Sequence, residues 1–163
     1  MNILVTGCAG FIGFHLCLKL SKNEKNKIYG IDNLNNYYDV KLKIDRLKIL
    51  KKNKNFNYKK IDITNKKNLE NFVKGKKIDL IINLAAYAGV QYSLKNPYKY
   101  FYTNELGFLN ICEISKKYKI NKVLFASSSS IIGDNNKIPF IEENRTDKPI
   151  SLYGVTKKNN EIL

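Results

Sequence analysis

Short apolar runs alternate with segments of helical period from one end of the chain to the other. Residues 2–6, 27–31, 56–61, 78–84 and 122–127 have strand length, and their continuous apolar character predicts strands buried on both faces, as in a parallel sheet. Between them, residues 11–21, 40–50, 66–73 and 97–118 carry helical spacing, and residues 153–163 begin a further helix. Pro97 suits the first turn of the fourth helix, where a missing N–H costs nothing. Strand–helix alternation of this kind predicts an α/β fold. Its form would be a doubly wound parallel (Rossmann) sheet with flanking helices and right-handed crossovers. No internal repeat or linker interrupts the pattern.

The first loop carries the first chemistry. Gly7-Cys8-Ala9-Gly10-Phe11-Ile12-Gly13 follows the first strand and opens the first helix. Glycine in such a turn permits positive φ, lets the backbone approach a pyrophosphate, and packs helix closely on strand. The helix N-terminus adds free N–H groups and the positive end of its dipole. Asp32 ends the second strand nineteen residues after Gly13. A carboxylate there accepts hydrogen bonds from the adenosine ribose diol and repels a 2′-phosphate, which favours NAD over NADP. A tight turn without a ligand is the alternative reading of the glycines.

Two more strand ends point the same way. Asp62-Ile63 follows the third strand and Asn83-Leu84-Ala85-Ala86 ends the fourth, at the carboxyl edge where open α/β sheets bind ligands. Small Ala85 and Ala86 would let a dinucleotide lie against the backbone, or would simply relieve a crowded crossover. Ser127-Ser128-Ser129-Ser130 follows the fifth strand, and Tyr153 and Lys157 stand four residues apart on one face of the last helix. An ammonium near a phenol favours the phenolate and brings Tyr153 towards base chemistry near neutral pH.

Taken in this order, the motifs resemble the extended short-chain dehydrogenase/reductase proteins, the NAD-dependent epimerases and dehydratases that modify nucleotide sugars. Three longer stretches are similar to UDP-glucuronate 4-epimerases: residues 30–43 around Asn36-Tyr37-Tyr38-Asp39-Val40, residues 85–93, and Ser151-Leu152-Tyr153 leading into Thr156-Lys157-Lys158. Asn-Tyr-Tyr-Asp-Val is the most specific of these, because it has no generic role in binding a dinucleotide.

The resemblance implies an isomerase that oxidises a nucleotide sugar at C4 to a 4-keto intermediate and reduces it from the other face. Ser128, Tyr153 and Lys157 would be catalytic. NAD would be held by Gly7, Gly10, Phe11, Ile12, Gly13, Asp32, Asn33, Asp62, Ile63, Leu84, Ala85, Ala86, Asn104, Tyr153 and Lys157. The sugar would meet Val90, Ser128, Ser129 and Tyr153. Ser129 and Ser130 stand where the dehydratases carry an Asp-Glu pair, which speaks against dehydration. Gln91 replaces the family's usual Arg, Asn83 its frequent His, and Ile132 its usual Tyr. Another epimerase or dehydratase of the same family is the nearest alternative.

Length changes this picture. Members of the family carry a further C-terminal domain that grips the nucleotide diphosphate. Residues 1–163 are therefore expected to be the NAD-binding Rossmann domain of a truncated protein, with the nucleotide-sugar domain absent and little or no turnover by the chain alone. The last helix is expected to be marginal without its partners, and residues 122–127 to form an exposed sheet edge.

Charge adds less than it promises. The formal net charge is +15, and 27 of the 29 basic residues are Lys. Lys, Asn, Ile and Tyr make up about half the chain, as an A/T-rich genome would produce. Nucleic-acid surfaces favour Arg, so nucleic acid is not expected as a partner. Residues 41–77 carry a local +11, and the alternative of another class is a non-catalytic basic module that binds polyanions on a Rossmann scaffold. Leu42, Leu47, Ile49 and Leu50 are expected to share a helical stripe there, leaving a solvated basic face.

Cys8, Cys17 and Cys112 are odd in number and His15 has no companion, so neither disulfides nor a metal site is predicted. A reduced cytoplasmic location follows as the default. No run is long enough to span a membrane, and Cys8 comes too early for a lipoprotein signal. On helix 97–118, Tyr98, Tyr102, Leu106 and Leu109 form one stripe while Phe101, Phe108 and Cys112 form another, which makes a homodimer possible.

Overall fold

Parallel pairing organises the whole chain. The computed structural model describes residues 1–134 and 138–163. Strands β1 (Asn2–Thr6), β2 (Lys27–Asp32), β3 (Phe56–Lys60), β4 (Leu80–Asn83) and β5 (Val123–Phe125) form one sheet in the order β3-β2-β1-β4-β5. Thr6 aligns with Ile31 on one side and Asn83 on the other, so three strands end level. Chain direction across the sheet reverses at β1, and a crevice opens beyond its carboxyl end.

Side-chain alternation on the strands builds a core on each face. Ile3 and Val5 point to a cluster with Ile28, Leu47 and Leu50, under helices α1 (Phe11–Ser21) and α2 (Val40–Leu50). Leu4, with Tyr29, Ile31 and Ile81, points to the opposite cluster. There it meets Leu69 and Val73 of α3 (Lys66–Val73) and Ile111 and Ile114 of α6 (Gly107–Lys117).

Several elements depart from the sequence pattern. Leu42 and Ile49 are each 46% exposed, so the stripe on α2 is instead Lys43, Leu47 and Leu50, spaced as one helix face. The fourth strand starts two residues late. Ile78 packs into the core from a turn tied to Asn2, whose amide donates to the Lys76 and Lys77 carbonyls. Helix α4 (Val90–Lys95) lacks a readable period because it is only one and a half turns long.

The long helix expected over 97–118 is three pieces: α5 (Pro97–Tyr100), a π-helical stretch (Phe101–Leu106) and α6. Its wide turn carries buried Asn104, and at Gly107 the backbone comes so close to Ile63 that an added Cβ would lie 2.7 Å from the Ile63 side chain. The two apolar stripes fare differently. Tyr98, Tyr102, Leu106 and Leu109 are exposed, as is Phe101, whereas Phe108 is buried with its ring 5.0 Å from that of Phe125.

The final helix α7 (Leu152–Ile162) is not short of partners, contrary to expectation. Ser151 caps it by accepting from the Gly154 N–H, Asn160 donates to the Asn104 carbonyl, and Thr156 accepts from the Asn104 amide. β5 is one of the two edge strands, with Leu124 58% exposed. Among the described residues, no helix is long and apolar enough to cross a membrane, and no group of three or more His, Cys, Asp or Glu could hold a metal ion.

Candidate cofactor and substrate site

The crevice begins at the turn after β1. Gly7 has φ +68°, and a Cβ on it would stand 2.8 Å from the Ala85 nitrogen, so the β1 and β4 loops pass in backbone contact. Thr6 sets that spacing. Its hydroxyl donates to Asn83 Oδ1 at 2.6 Å and accepts from the N–H groups of Leu84 and Ala85. Gly13 lets α1 start against this turn, since a Cβ there would sit 2.2 Å from the Gly7 oxygen.

Helix α1 starts at Gly10 with no side-chain cap and no acidic residue in its first turn. Its free N–H groups and positive dipole end face the crevice, which is the arrangement that receives a phosphate. The resulting groove, of about 360 Å³, lies within the range of small-molecule sites.

Asp32 closes one end. Its carboxylate accepts from the Ala9 N–H at 3.2 Å and the Leu34 N–H at 2.8 Å. Lys43, almost fully buried, reaches it from α2 and also donates to Asn35 Oδ1 at 2.9 Å. Arg46 adds a bond to the Ala9 carbonyl and another to the Tyr38 hydroxyl, both at 3.3 Å. Nearby, Asn33 donates to Asp62 at 2.7 Å. Burial pushes the Asp62 carboxyl up, but the Asn33 amide and the Thr64 N–H and hydroxyl outweigh it and hold it below the usual carboxylate range.

The other end holds Tyr153 and Lys157, one turn apart on α7. Lys157 is 4% exposed and donates to the Ala126 carbonyl at 2.9 Å, and burial pulls its ammonium down to about 8. The Tyr153 ring stands edge-on to Tyr100 with centroids 6.0 Å apart.

One groove therefore brings together Gly7, Gly10, Phe11, Ile12, Gly13, Asp32, Asn33, Asp62, Ile63, Leu84, Ala85, Ala86, Tyr153 and Lys157. These groups match what a dinucleotide asks of a site: N–H donors and a dipole for phosphate, a carboxylate for a ribose diol, and small residues against the chain.

Four residues named from the sequence lie elsewhere. Asn104 is spent inside the protein, donating to the Tyr87 carbonyl and Thr156 and accepting from the Tyr87 N–H. Val90 begins α4 at the surface. Ser128 accepts from the Ser130 N–H, and both Ser128 and Ser129 line a neighbouring, more open hollow that shares Ser127 with the groove.

Sequence reading missed Asn35, Tyr37, Tyr38, Lys43, Ala88 and Ser127, all on the groove wall. Lys43 was legible in principle, since it falls at helical spacing with the buried Leu47 and Leu50. Ser127 had no signal of its own beside its neighbouring serines.

The NAD dependent epimerase/dehydratase family matches over residues 3–163. A protein of Methanocaldococcus jannaschii, MJ1055, is 54% identical over 99% of this chain and 50% of its own length. The UDP-glucuronate 4-epimerase of Thermodesulfobacterium geofontis is 45% identical over 98% of this chain and 49% of its own. The crystal structure of Bacillus cereus UDP-glucuronic acid 4-epimerase, in complex with UDP-glucuronic acid and NAD, superposes with a TM-score of 0.89. That match has 34% identity and covers 99% of this chain and 50% of that one. The chain spans about half the length of the curated relatives it matches.

Proposed function

Because the chain belongs to the NAD dependent epimerase/dehydratase family, we propose that it supplies the cofactor-binding portion of a UDP-sugar 4-epimerase of the glucuronate/galacturonate type. One observation carries this reading: the uncapped start of α1, the Asp32 carboxylate and the Tyr153/Lys157 pair open into a single groove. Phe11, Ile12 and Gly13 would face the pyrophosphate with their N–H groups, and Asp32 would accept from the adenosine ribose. Bound NAD would supply a hydride acceptor for C4 of the sugar and a donor for its return.

Tyr153 would take the proton of the 4-hydroxyl. Lys157, still mostly protonated at neutral pH although burial has lowered its ammonium to about 8, would stabilise the phenolate and hold the nicotinamide ribose. Ser128, one residue beyond the groove wall, would hydrogen-bond the 4-oxygen once turned from the Ser130 N–H. The exposed stripe of Tyr98, Tyr102, Leu106 and Leu109 supports pairing with a second copy.

Isothermal titration with NAD tests the proposal. Saturable one-site binding by the chain, lost in Asp32→Ala, supports it; absence of heat with the folded chain sinks it. UDP-glucuronate is expected to undergo little or no epimerisation by the chain alone. Gln91, uncharged and exposed where relatives of this type are expected to carry Arg, favours a second reading in which the sugar is a neutral hexose. Comparing UDP-glucose with UDP-glucuronate as competitors for the loaded site separates the two.

A further inference from the structure

The Asn-Tyr-Tyr-Asp-Val stretch is not explained by dinucleotide binding, yet the structure gives its first tyrosine a definite task. From Asp32 onward the loop locks itself. Asp32 accepts from the Leu34 N–H, Asn33 from the Asn35 N–H, and Asn35 from the Tyr37 N–H. This carries Tyr37 across the mouth of the groove, where its hydroxyl donates to the Ala88 carbonyl at 2.5 Å, fifty-one residues away in sequence.

Ala88 and Gly89 are otherwise an exposed turn, with Gly89 at φ +92°. The Tyr100 hydroxyl reaches the same Ala88 carbonyl and also lies 2.8 Å from the Gly89 carbonyl. Two phenols thus grip one turn. One stems from the loop that begins at Asp32, and the other is Tyr100 of α5, whose ring abuts Tyr153.

We propose that Tyr37 is a positioning residue, fixing the Ala88–Gly89 turn for the nicotinamide and sugar end of the groove from the loop that begins at Asp32. The inference rests on the reading that this groove takes NAD. Removing the Tyr37 hydroxyl takes away one of the two phenol donors that hold the Ala88 carbonyl, without touching Asp32 or the start of α1. The nicotinamide end of a ligand then loses order while the adenosine end keeps its contacts.

The test uses the 163-residue chain. Wild type, Tyr37→Phe and Tyr100→Phe are titrated with NAD and with ADP, which lacks the nicotinamide half. Emission of bound NADH reports the surroundings of the nicotinamide ring, and thermal melts are taken alongside. Tyr37→Phe is expected to melt close to wild type and bind ADP equally well, but to bind NAD about 3–10-fold more weakly, the effect of one lost hydrogen bond. Its bound NADH emission should fall towards that of the free molecule, and Tyr100→Phe should change NAD and ADP binding in the same unequal way.

Unchanged NAD affinity and emission in Tyr37→Phe would overturn the proposal. Equal loss of NAD and ADP, or a melt lowered by tens of degrees, would also overturn it, because the residue would then serve the fold alone. Wild type that binds neither ligand would instead overturn the reading of the groove, and this inference with it.

Discussion

Lys43 Nζ stands 3.5 Å from Asp32 Oδ1, and both side chains are 5% exposed. A helix drawn from the most basic part of the chain thus gives up one lysine to neutralise the carboxylate at the end of β2. Asp32 keeps two backbone donors as well, so the pair is hydrogen-bonded as a buried ion pair must be.

Removing either partner leaves the other charge buried. Lys43→Met and Asp32→Asn are each expected to lower unfolding stability by about 3 kcal/mol in urea titrations. The double variant should cost less than the sum by more than about 1 kcal/mol, because no lone charge remains. Additive losses would show that the two charges do not interact.

Gly7 and Gly75 make a second comparison. Both have positive φ, but a Cβ on Gly7 would strike the Ala85 nitrogen while Gly75 has nothing within 4 Å. Gly75→Ala is expected to cost about 1 kcal/mol, the backbone penalty alone. Gly7→Ala should cost about 3 kcal/mol and weaken NAD binding, because the β1 and β4 loops must part. Denaturant melts and NAD titration check both.

Lys157 makes stability depend on pH in a defined direction. Burial lowers its ammonium from the usual 10.5 to about 8, so between these values the unfolded chain binds more protons than the folded one. The cost of burying the charge is fully present below pH 8 and is relieved as pH rises towards 10.5. The stability of wild type relative to Lys157→Met should therefore climb through that window, by up to about 3 kcal/mol. Burial raises Cys8, Cys17 and Tyr58, which gives the opposite slope, but both proteins share it. A flat difference between pH 7 and 10.5 would contradict the assignment.

Much of this architecture was legible because it depends on local pattern. The helices at 11–21, 40–50 and 66–73 have the predicted bounds, the first because it follows the glycine turn and the other two because Asp39 and Asn65 accept from N–H groups of their first turns. What escaped depends on long-range partners. Lys43 shares the helical spacing of Leu47 and Leu50, but its ion pair is visible only once Asp32 is placed beside it. Asn104 reads as a cofactor ligand until Tyr87 and Thr156 take up its amide. The break of helix 97–118 into a π-helical stretch has no local marker except Gly107, whose close approach to Ile63 only the packed structure reveals.

Thiol reactivity checks the packing near the groove. Cys8 and Cys17 are fully buried, and burial pushes the Cys17 thiol up to about 12, whereas Cys112 is half-buried. A thiol reagent should modify Cys112 first in the native protein, and Cys8 and Cys17 only on unfolding. Cys112→Ser should abolish the native phase.

The most direct test of the dinucleotide groove is an NMR titration of the 15N-labelled 18.8 kDa chain with NAD. The predicted result is that the amides of Phe11, Ile12, Gly13, Ala85 and Ala86 shift together and saturably. The opposite result, shifts confined to the basic residues 41–77 and vanishing with salt, or none at all, would contradict it.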